Sequence, residues 1–191
     1  MGGTFKPRTR VGDRTAWDWQ RPNLPDQVTV VAPSSEARLL DADWFNFDGR
    51  GGPVNALAHV LPHLDSDGPL VVCYADTLFF GHLPPGDWVG VAEAEGGRIW
   101  DYHLAGTFWM RGHVAPETWR EVCIGLYQFT DLDLLGFMCK QTLADTAGEA
   151  HMWSVANKLR CRAVPFEWFD VGDPAAVTAA VKGLTASGRL Q

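Results

Sequence analysis

The stretch VVCYADTLFFG, residues 71–81, decides how the fold is read. With Leu70 in front of it, it begins as an apolar run that reaches Tyr74 without alternating polar positions. A strand of this kind is typical of a sheet that is covered on both faces, as parallel sheets are. Asp76 follows directly after the strand, at the carboxyl end where open α/β sheets bind their ligands. The stretch therefore predicts a buried strand that ends beside a functional carboxylate.

The residues before this strand predict a strand–helix–strand unit. QVTVVA, residues 27–32, is a β-branched run that ends at a proline. A Gly-rich loop, GRGGP, then leads into residues 54–64, whose apolar positions follow helical spacing after Pro53. Two strands joined through a helix form the repeating unit of α/β folds. We therefore expect an α/β fold with three layers: a Rossmann-like mixed, mostly parallel sheet with helices on both faces.

The rest of the chain supplies further elements of the same domain. Strands are expected at residues 44–47, 88–92, 122–129 and 161–166, and helices at residues 131–148, 149–159 and 175–184. Gly125 lies inside one of these strands, where a glycine often marks a bulge or the close approach of a ligand. Residues 1–26 have no clean periodicity and read as an irregular Gly- and Arg-rich segment. We predict a single domain over residues 1–191.

Composition excludes several classes of partner. The net charge of −7 and pI of about 5.2 disfavour a nucleic-acid-binding protein, which needs a basic surface. No apolar run approaches the roughly 20 residues that span a bilayer, and the N-terminus is polar and basic, so we expect no membrane association and a cytoplasmic location. The four cysteines form no CxxC pair and are expected to be buried reduced thiols.

Two carboxylates follow strands that are distant in sequence. Asp76 ends one strand, and Asp170 lies in EWFDVGDP after another. If the two meet at one edge of the sheet they repel each other, and a divalent cation between them would remove the repulsion. Mg²⁺ typically takes one or two carboxylates together with substrate phosphates. Taken singly, either aspartate is more often a turn former or a helix cap, as we expect for Asp173 at the start of the last helix.

Four segments share their pattern with one known family. They are GPLVVCYADTLF, VCIGLYQF, EWFDVGDPAAVTAA and, at residues 2–9, GGTFKPRT. GPLVVCYADTLF resembles the family's strand that ends in a metal-binding Asp, and VCIGLYQF resembles its strand that lines the sugar pocket. EWFDVGDPAAVTAA resembles its Trp-x-Asp-[Ile/Val/Thr]-Gly-[Thr/Asp]-Pro segment, and GGTFKPRT resembles its Gly-rich signature. The chain thus resembles a divergent or N-terminally truncated member of the sugar-1-phosphate nucleotidylyltransferases. These enzymes join a nucleoside triphosphate to a phosphorylated sugar and release pyrophosphate.

The resemblance implies three groups of site residues. Asp76 and Asp170 would hold Mg²⁺, and Asp76 would belong to the catalytic group with Lys6 and Arg8. Backbone N–H groups of the Gly-rich segments would bind the nucleoside triphosphate, namely those of Gly2, Gly3, Thr4, Gly51 and Gly52. The sugar phosphate would lie beside Gly125 and Glu149, although a place at the start of a helix explains Glu149 equally well.

Two features depart from the family pattern. The family's Gly-rich loop follows a strand of about six residues, whereas Gly2 is here the second residue, so we expect that strand to be missing. Thr4 stands where the signature has an Arg; Lys6 and Arg8 are either its substitutes or ordinary solvated residues. Three hypotheses remain: an active divergent enzyme, a fragment, or a catalytically impaired relative that binds a nucleotide, a sugar phosphate or a protein. A partner chain that completes the sheet, as in a homo-oligomer, is compatible with each.

Two other kinds of site stay open. His59 and His63 are one helical turn apart, a spacing that can bind zinc, although a solvated helix face is the commoner explanation. The nine tryptophans could instead form an interaction surface for a partner protein. The sequence contains neither a GxSxG elbow nor a Walker loop, which argues against serine hydrolases and P-loop proteins.

Overall fold

The computed structural model describes residues 5–33, 37–38, 40–47, 50–64, 68–93, 102–105, 108–111 and 122–190. Its strands are β1 (Arg10–Val11), β2 (Arg14–Thr15), β3 (Thr29–Ala32), β4 (Asp43–Asn46), β5 (Leu70–Cys73), β6 (Thr77–Phe80), β7 (Trp88–Ala92), β8 (Tyr102–Ala105), β9 (Phe108–Arg111), β10 (Val122–Phe129), β11 (Arg162–Pro165) and β12 (Glu167–Asp170). Its α-helices are α1 (Ala16–Gln20), α2 (Gly52–Val60), α3 (Leu132–Asp145), α4 (Met152–Lys158) and α5 (Pro174–Ala186).

The largest sheet is organised around β10. This strand pairs antiparallel with β5, β7 and β8, while β7 pairs parallel with β11 and β8 pairs antiparallel with β9. Helices α2, α3 and α4 cover it through an apolar core that includes Val54, Leu135, Met152, Tyr127 and Phe129. Eight consecutive positions of β10 are almost entirely buried, which explains its unalternated apolar sequence.

A second core lies beside the first and carries the predicted carboxylates. Strands β6 and β12 form an antiparallel pair, and α1 and α5 pack against it. The buried side chains of this core include Trp19, Leu78, Val171 and Leu184. Because Asp76 precedes β6 and Asp170 ends β12, this pair of strands brings residues from distant parts of the chain together.

The α/β class and the mixed sheet are confirmed, but the prediction that most strands are parallel is wrong for the pairs that the structure describes. Two of these pairs are parallel, β3–β4 and β7–β11, and six are antiparallel. In particular, β5 pairs antiparallel with β10. An unalternated apolar run reports burial of both faces, which either strand direction can provide, so direction was not encoded in the pattern.

The helices follow the apolar spacing, with corrections at their ends: α2 ends at Val60 rather than Leu64, and α3 ends at Asp145 rather than Gly148. Asp131 caps α3 by accepting a hydrogen bond from Leu134 N, so that helix starts one residue later than predicted. Residues 149–151 were predicted to be helical but precede α4. Instead, Ala150 exchanges backbone hydrogen bonds with the loop before α2: its N–H donates to Gly51 O at 3.2 Å, and its carbonyl accepts from Val54 N at 3.3 Å.

The cysteines were predicted to be buried reduced thiols; Cys139 is buried, and the other three are half-buried. All four are free, and burial raises the pKa of Cys139 and Cys161 to about 12 and that of Cys73 further. At neutral pH these thiols are protonated and unreactive. Among the helices that the structure describes, none is both long and apolar enough to cross a bilayer.

Candidate active site

Asp76 lies in a tight turn that joins β5 to β6. Thr77 N donates to Tyr74 O at 3.1 Å and closes the turn. Both of its ends are fixed to β10, because Tyr74 N donates to Gly125 O at 2.9 Å and Thr77 Oγ1 donates to Ile124 O at 2.6 Å. Asp76 projects from a turn that is anchored to the buried strand of the main sheet.

Gly125 makes this anchorage possible. Its φ of +74° is in the left-handed region, and the register between β10 and β7 shifts between Cys123 and Tyr127. A Cβ atom at this position would lie 2.6 Å from the Tyr74 ring. The glycine therefore marks a bulge, as the sequence suggested, and it lets the ring pack against bare backbone.

Asp170 joins Asp76 through the register of β6 and β12. Asp170 pairs with Thr77, and Val171 N donates to Asp76 O at 2.9 Å. A Cβ atom on Gly172 would lie 3.0 Å from Asp170 Oδ1 and 3.3 Å from Asp76 Oδ2. The two carboxylates thus face one small volume that the missing side chain of Gly172 leaves open.

Lys6 is the cation of this group. Its Nζ donates to Asp76 Oδ2 in an ion pair, with 48% of the Lys6 side chain and 28% of the Asp76 side chain exposed. The residue lies in a short 3₁₀ turn, Lys6–Arg8, whose apolar anchor is the buried Pro7. Arg8 ends the same turn and is exposed.

The charges and burial around Asp170 change the pKa of its carboxyl group. Partial burial of its carboxyl group raises its pKa, and the nearby charges of Asp76 and Asp173 raise it further. The hydrogen bond from Gly172 N and the charge of Lys6 act in the opposite direction. The net effect is a raised pKa, so the ionised form of Asp170 is disfavoured in the folded protein without an added cation.

Asp173 has the structural role that the sequence predicted. Its carboxylate accepts hydrogen bonds from Ala175 N at 2.8 Å and Ala176 N at 2.9 Å, which caps α5. It adds negative charge near Asp170 while its Oδ1 accepts both hydrogen bonds from the helix end.

A buried glutamine holds the Asp76 turn in addition to β10. Gln20, the last residue of α1, is 3% exposed, and its Nε2 donates to Tyr74 O at 3.0 Å and also to Thr77 O. No sequence motif pointed to this residue. Nothing in the local sequence AWDWQ distinguishes a glutamine that binds a distant turn from one that is exposed to solvent.

The predicted site residues that the structure describes fall into two main groups. Lys6, Asp76 and Asp170 lie together, and Gly125 contacts their turn through Tyr74. Gly51, Gly52 and Glu149 form the second group: Gly52, with φ of +81°, would place a Cβ atom 2.3 Å from Glu149 Cγ. The predicted residues Gly2, Gly3 and Thr4 lie outside the described residues.

The carboxylate pair fits a hard divalent cation. Its donors are carboxylate oxygens only, and they share one open volume. Burial and the neighbouring carboxylates raise the pKa of Asp170, so an added cation would favour its ionised form. In the described part of the chain no cluster of three or more His, Cys, Asp or Glu side chains could hold a metal ion. Two protein carboxylates match Mg²⁺, which completes its shell with water and phosphate oxygens, better than a structural Zn²⁺ site, which is closed by protein ligands.

The helical histidine pair has other partners. His59 Nδ1 lies 2.8 Å from Asn55 O and its ring packs on Phe47, with 5.1 Å between the ring centroids. The ring of His63 packs on Phe45 at 5.2 Å. These contacts support a structural role for His59 on α2 and for His63 in the 3₁₀ turn that follows it.

Comparison with known proteins relates the fold to one group of enzymes. No protein-family model matches the sequence, and no curated protein matches it either. Among solved structures, CTP:phosphocholine cytidylyltransferase from Streptococcus pneumoniae is 7% identical, with a TM-score of 0.73 over 95% of this chain and 90% of that one. A UDP-glucose pyrophosphorylase complexed with UDP-glucose is 13% identical, with a TM-score of 0.67 over 95% and 90%. The inositol-1-phosphate CTP transferase from T. maritima is 10% identical, with a TM-score of 0.66 over 95% and 89%.

The similarity spans nearly the whole length of this chain and most of each neighbour. At these identities it establishes the fold alone, and it agrees with the resemblance found in the sequence. The chain therefore has the fold of the sugar-1-phosphate nucleotidyltransferases and their cytidylyltransferase relatives.

Proposed function

We propose that this protein transfers a nucleotidyl group from a nucleoside triphosphate to a sugar 1-phosphate, giving a nucleotide-sugar and pyrophosphate. The observation that carries the proposal is the meeting of Asp76, Asp170 and Lys6 in one small volume. Two carboxylates and an ammonium group are the charges that handling of a metal-bound triphosphate requires. The nucleotidyltransferase fold supports this reaction over others that use paired carboxylates.

The chemistry would be an in-line displacement at the α-phosphorus. A phosphate oxygen of the acceptor forms the new P–O bond, while the bond to the β-phosphate oxygen breaks and pyrophosphate leaves. Mg²⁺ bound by Asp76 and Asp170 would neutralise charge that develops on the phosphate oxygens. Lys6 would donate hydrogen bonds to the triphosphate, exchanging its present partner Asp76 for a phosphate oxygen.

The other predicted residues would position the substrates. Gly51 caps the start of α2 and Gly52 is its first residue; both have left-handed φ values, a conformation that exposes backbone N–H groups to an anionic or polar ligand. Glu149 contacts Gly52 and could accept hydrogen bonds from hydroxyl groups of the nucleotide or the sugar. Gly2, Gly3 and Thr4 would add further N–H groups around the triphosphate, and Gly125 would border the acceptor.

Calorimetric titration with each nucleoside triphosphate, with and without Mg²⁺, tests the proposal. We expect saturable binding that requires Mg²⁺ and is lost in Asp76→Asn and Asp170→Asn. Lys158→Met is the matched control, because Lys158 forms a comparable ion pair with Asp145 at 2.7 Å in another part of the fold. The variant should bind like the unaltered protein. Absence of Mg²⁺-dependent binding by the folded protein would exclude the proposed function.

Pyrophosphate release then tests turnover. The acceptor panel should contain sugar 1-phosphates, inositol 1-phosphate and phosphocholine, because the matched structures include enzymes named for the last two compounds. Release with one acceptor establishes the reaction. Nucleotide binding without release for any acceptor would support the catalytically impaired relative that the degenerate Gly-rich segment suggested.

A further inference from the structure

We propose that Gln20 is a positioning residue for Asp76, whose carboxamide holds the turn that presents the candidate metal-binding carboxylate. The inference rests on the proposed function, because it assigns Gln20 a part in the cation affinity of the same site. It starts from a contact that neither the motif pattern nor the resemblance indicated.

The carboxamide of Gln20 bridges the two ends of the turn. Its single nitrogen donates to Tyr74 O at 3.0 Å and to Thr77 O, the residues that flank Ala75 and Asp76. An amide nitrogen has two hydrogens, so both are used. Gln20 and Thr77 are each 3% exposed, so the bond from Gln20 to Thr77 O is shielded from water.

Strand β10 holds the same turn through different atoms. Tyr74 N and Thr77 Oγ1 donate to Gly125 O and Ile124 O. The turn is therefore clamped between the main sheet and α1, and removal of Gln20 frees one side only. We expect the turn to persist in a Gln20 variant but to move more, which changes the direction of the Asp76 carboxylate relative to Asp170.

Helix α1 is itself firmly placed. Thr15 and Asp18 form a reciprocal capping box at its start, and the buried Trp19 donates its indole N–H to Val11 O at 3.0 Å. The segment that places Gln20 also places Lys6, since Ala16 N donates to Thr9 O at 2.8 Å just after the Lys6–Arg8 turn. Residues 6–20 thus hold the backbone on both sides of Asp76 through Gln20 and pair with the Asp76 carboxylate through Lys6.

The chain offers a matched control for this inference. Gln128 is 5% exposed, and its Nε2 donates to Pro84 O and Gly86 O at 2.9 Å each. It holds a different segment, residues 84–86, which lies between β6 and β7. Gln20→Met and Gln128→Met each remove two buried amide–carbonyl hydrogen bonds at nearly constant volume, so they should cost similar stability.

The experiment compares the two variants by three measurements: binding of Mn²⁺, which serves as the probe of the candidate Mg²⁺ site, thermal unfolding, and amide hydrogen exchange. We expect Gln20→Met to weaken Mn²⁺ affinity about 10-fold, the size typical for residues that orient a metal ligand. The exchange of Thr77 and Val171 amides should accelerate at the same time. Gln128→Met should lower Tm by a comparable amount and leave the Mn²⁺ affinity and the exchange of the Thr77 and Val171 amides unchanged. If Gln20→Met does not fold, Gln20→Asn, which keeps the donors but reaches less far, takes its place.

The outcomes separate the two proposals. Gln20→Met could bind Mn²⁺ as tightly as the unaltered protein while its Tm falls as much as that of Gln128→Met. That result would show that Gln20 is a structural residue and would overturn the inference, while the proposed function would stand. Absence of Mn²⁺ binding by the unaltered protein would overturn the metal site itself. The exchange of Val171 N–H, which is bonded to Asp76 O, would still show whether Gln20 fixes the turn.

Discussion

Asp170 and Thr77 are partners in the antiparallel ladder of β6 and β12, and this register places the carboxylate of Asp170 beside that of Asp76. Two like charges are thereby held near each other by backbone hydrogen bonds, which costs stability in the absence of a cation. Sites that destabilise the fold in this way are commonly functional, since the cost is recovered when the ligand binds.

Asp170→Asn should stabilise the protein at neutral pH in the absence of divalent cations. The raised pKa means that the folded state holds the Asp170 proton more tightly than the unfolded state does. The stability associated with that proton is present at low pH and is lost as pH rises through the pKa of the folded protein. The neutral amide should therefore raise Tm at pH 7 by roughly 1–3 °C, and its Oδ1 can still accept the Gly172 hydrogen bond.

Thermal unfolding in EDTA at pH 7 and at pH 3 checks this prediction. The charged groups that act on Asp170 are Asp76, Asp173 and Lys6. At pH 3 most carboxyl groups are protonated, so the gain of the variant should shrink. Mg²⁺ should raise the Tm of the unaltered protein and have no effect on the variant. A lower Tm for Asp170→Asn at pH 7 would contradict the role of the charge.

Lys6→Met should increase the affinity for Mn²⁺ in the absence of nucleotide. The Lys6 ammonium pairs with the Asp76 oxygen that faces Gly172, so it competes with a cation for that oxygen. Removal of this exposed pair should cost less than about 1 kcal/mol of stability. Mn²⁺ titration against Lys158→Met, which breaks an ion pair elsewhere, provides the comparison. Unchanged affinity in Lys6→Met would mean that Lys6 and the cation do not share Asp76.

Strand ends and helix positions could be predicted from the sequence because they depend on local pattern. Asp76 was identified by the apolar run before it, and helix α2 by its apolar spacing after Pro53. Strand direction could not be predicted, since the β5 pattern reports burial and leaves its partner unspecified. The contacts of Lys6 and Gln20 with the Asp76 turn bridge 70 and 57 positions, and only the packed fold creates them.

Gly172→Ala should abolish divalent cation binding with little loss of stability. Its Cβ atom would enter the volume between the carboxylates, 3.0 Å from Asp170 Oδ1 and 3.3 Å from Asp76 Oδ2. The residue has no left-handed φ value that a side chain would strain, so the effect should be local. Mn²⁺ titration and Tm, measured together, check this expectation. Retention of full Mn²⁺ affinity would place the cation away from the volume beside Gly172.

Gly125→Ala should destabilise the protein by more than its backbone conformation alone requires. The φ of +74° costs any L-residue about 1–2 kcal/mol, and a Cβ atom would also lie 2.6 Å from the Tyr74 ring. Gly188→Ala is the control, because its φ of +71° is nearly the same and nothing lies within 4 Å of its Cβ position. The difference between the two variants therefore isolates the contact with Tyr74.

Denaturant unfolding of both variants measures this difference, which should reach about 1–3 kcal/mol if the clash resembles other overpacked sites. Relief of the clash requires Tyr74 to move, and Tyr74 N is bonded to Gly125 O at the start of the Asp76 turn. Gly125→Ala should therefore also weaken Mn²⁺ binding, whereas Gly188→Ala should not. Equal stability losses with unchanged Mn²⁺ affinity would show that the bulge at Gly125 is independent of the candidate site.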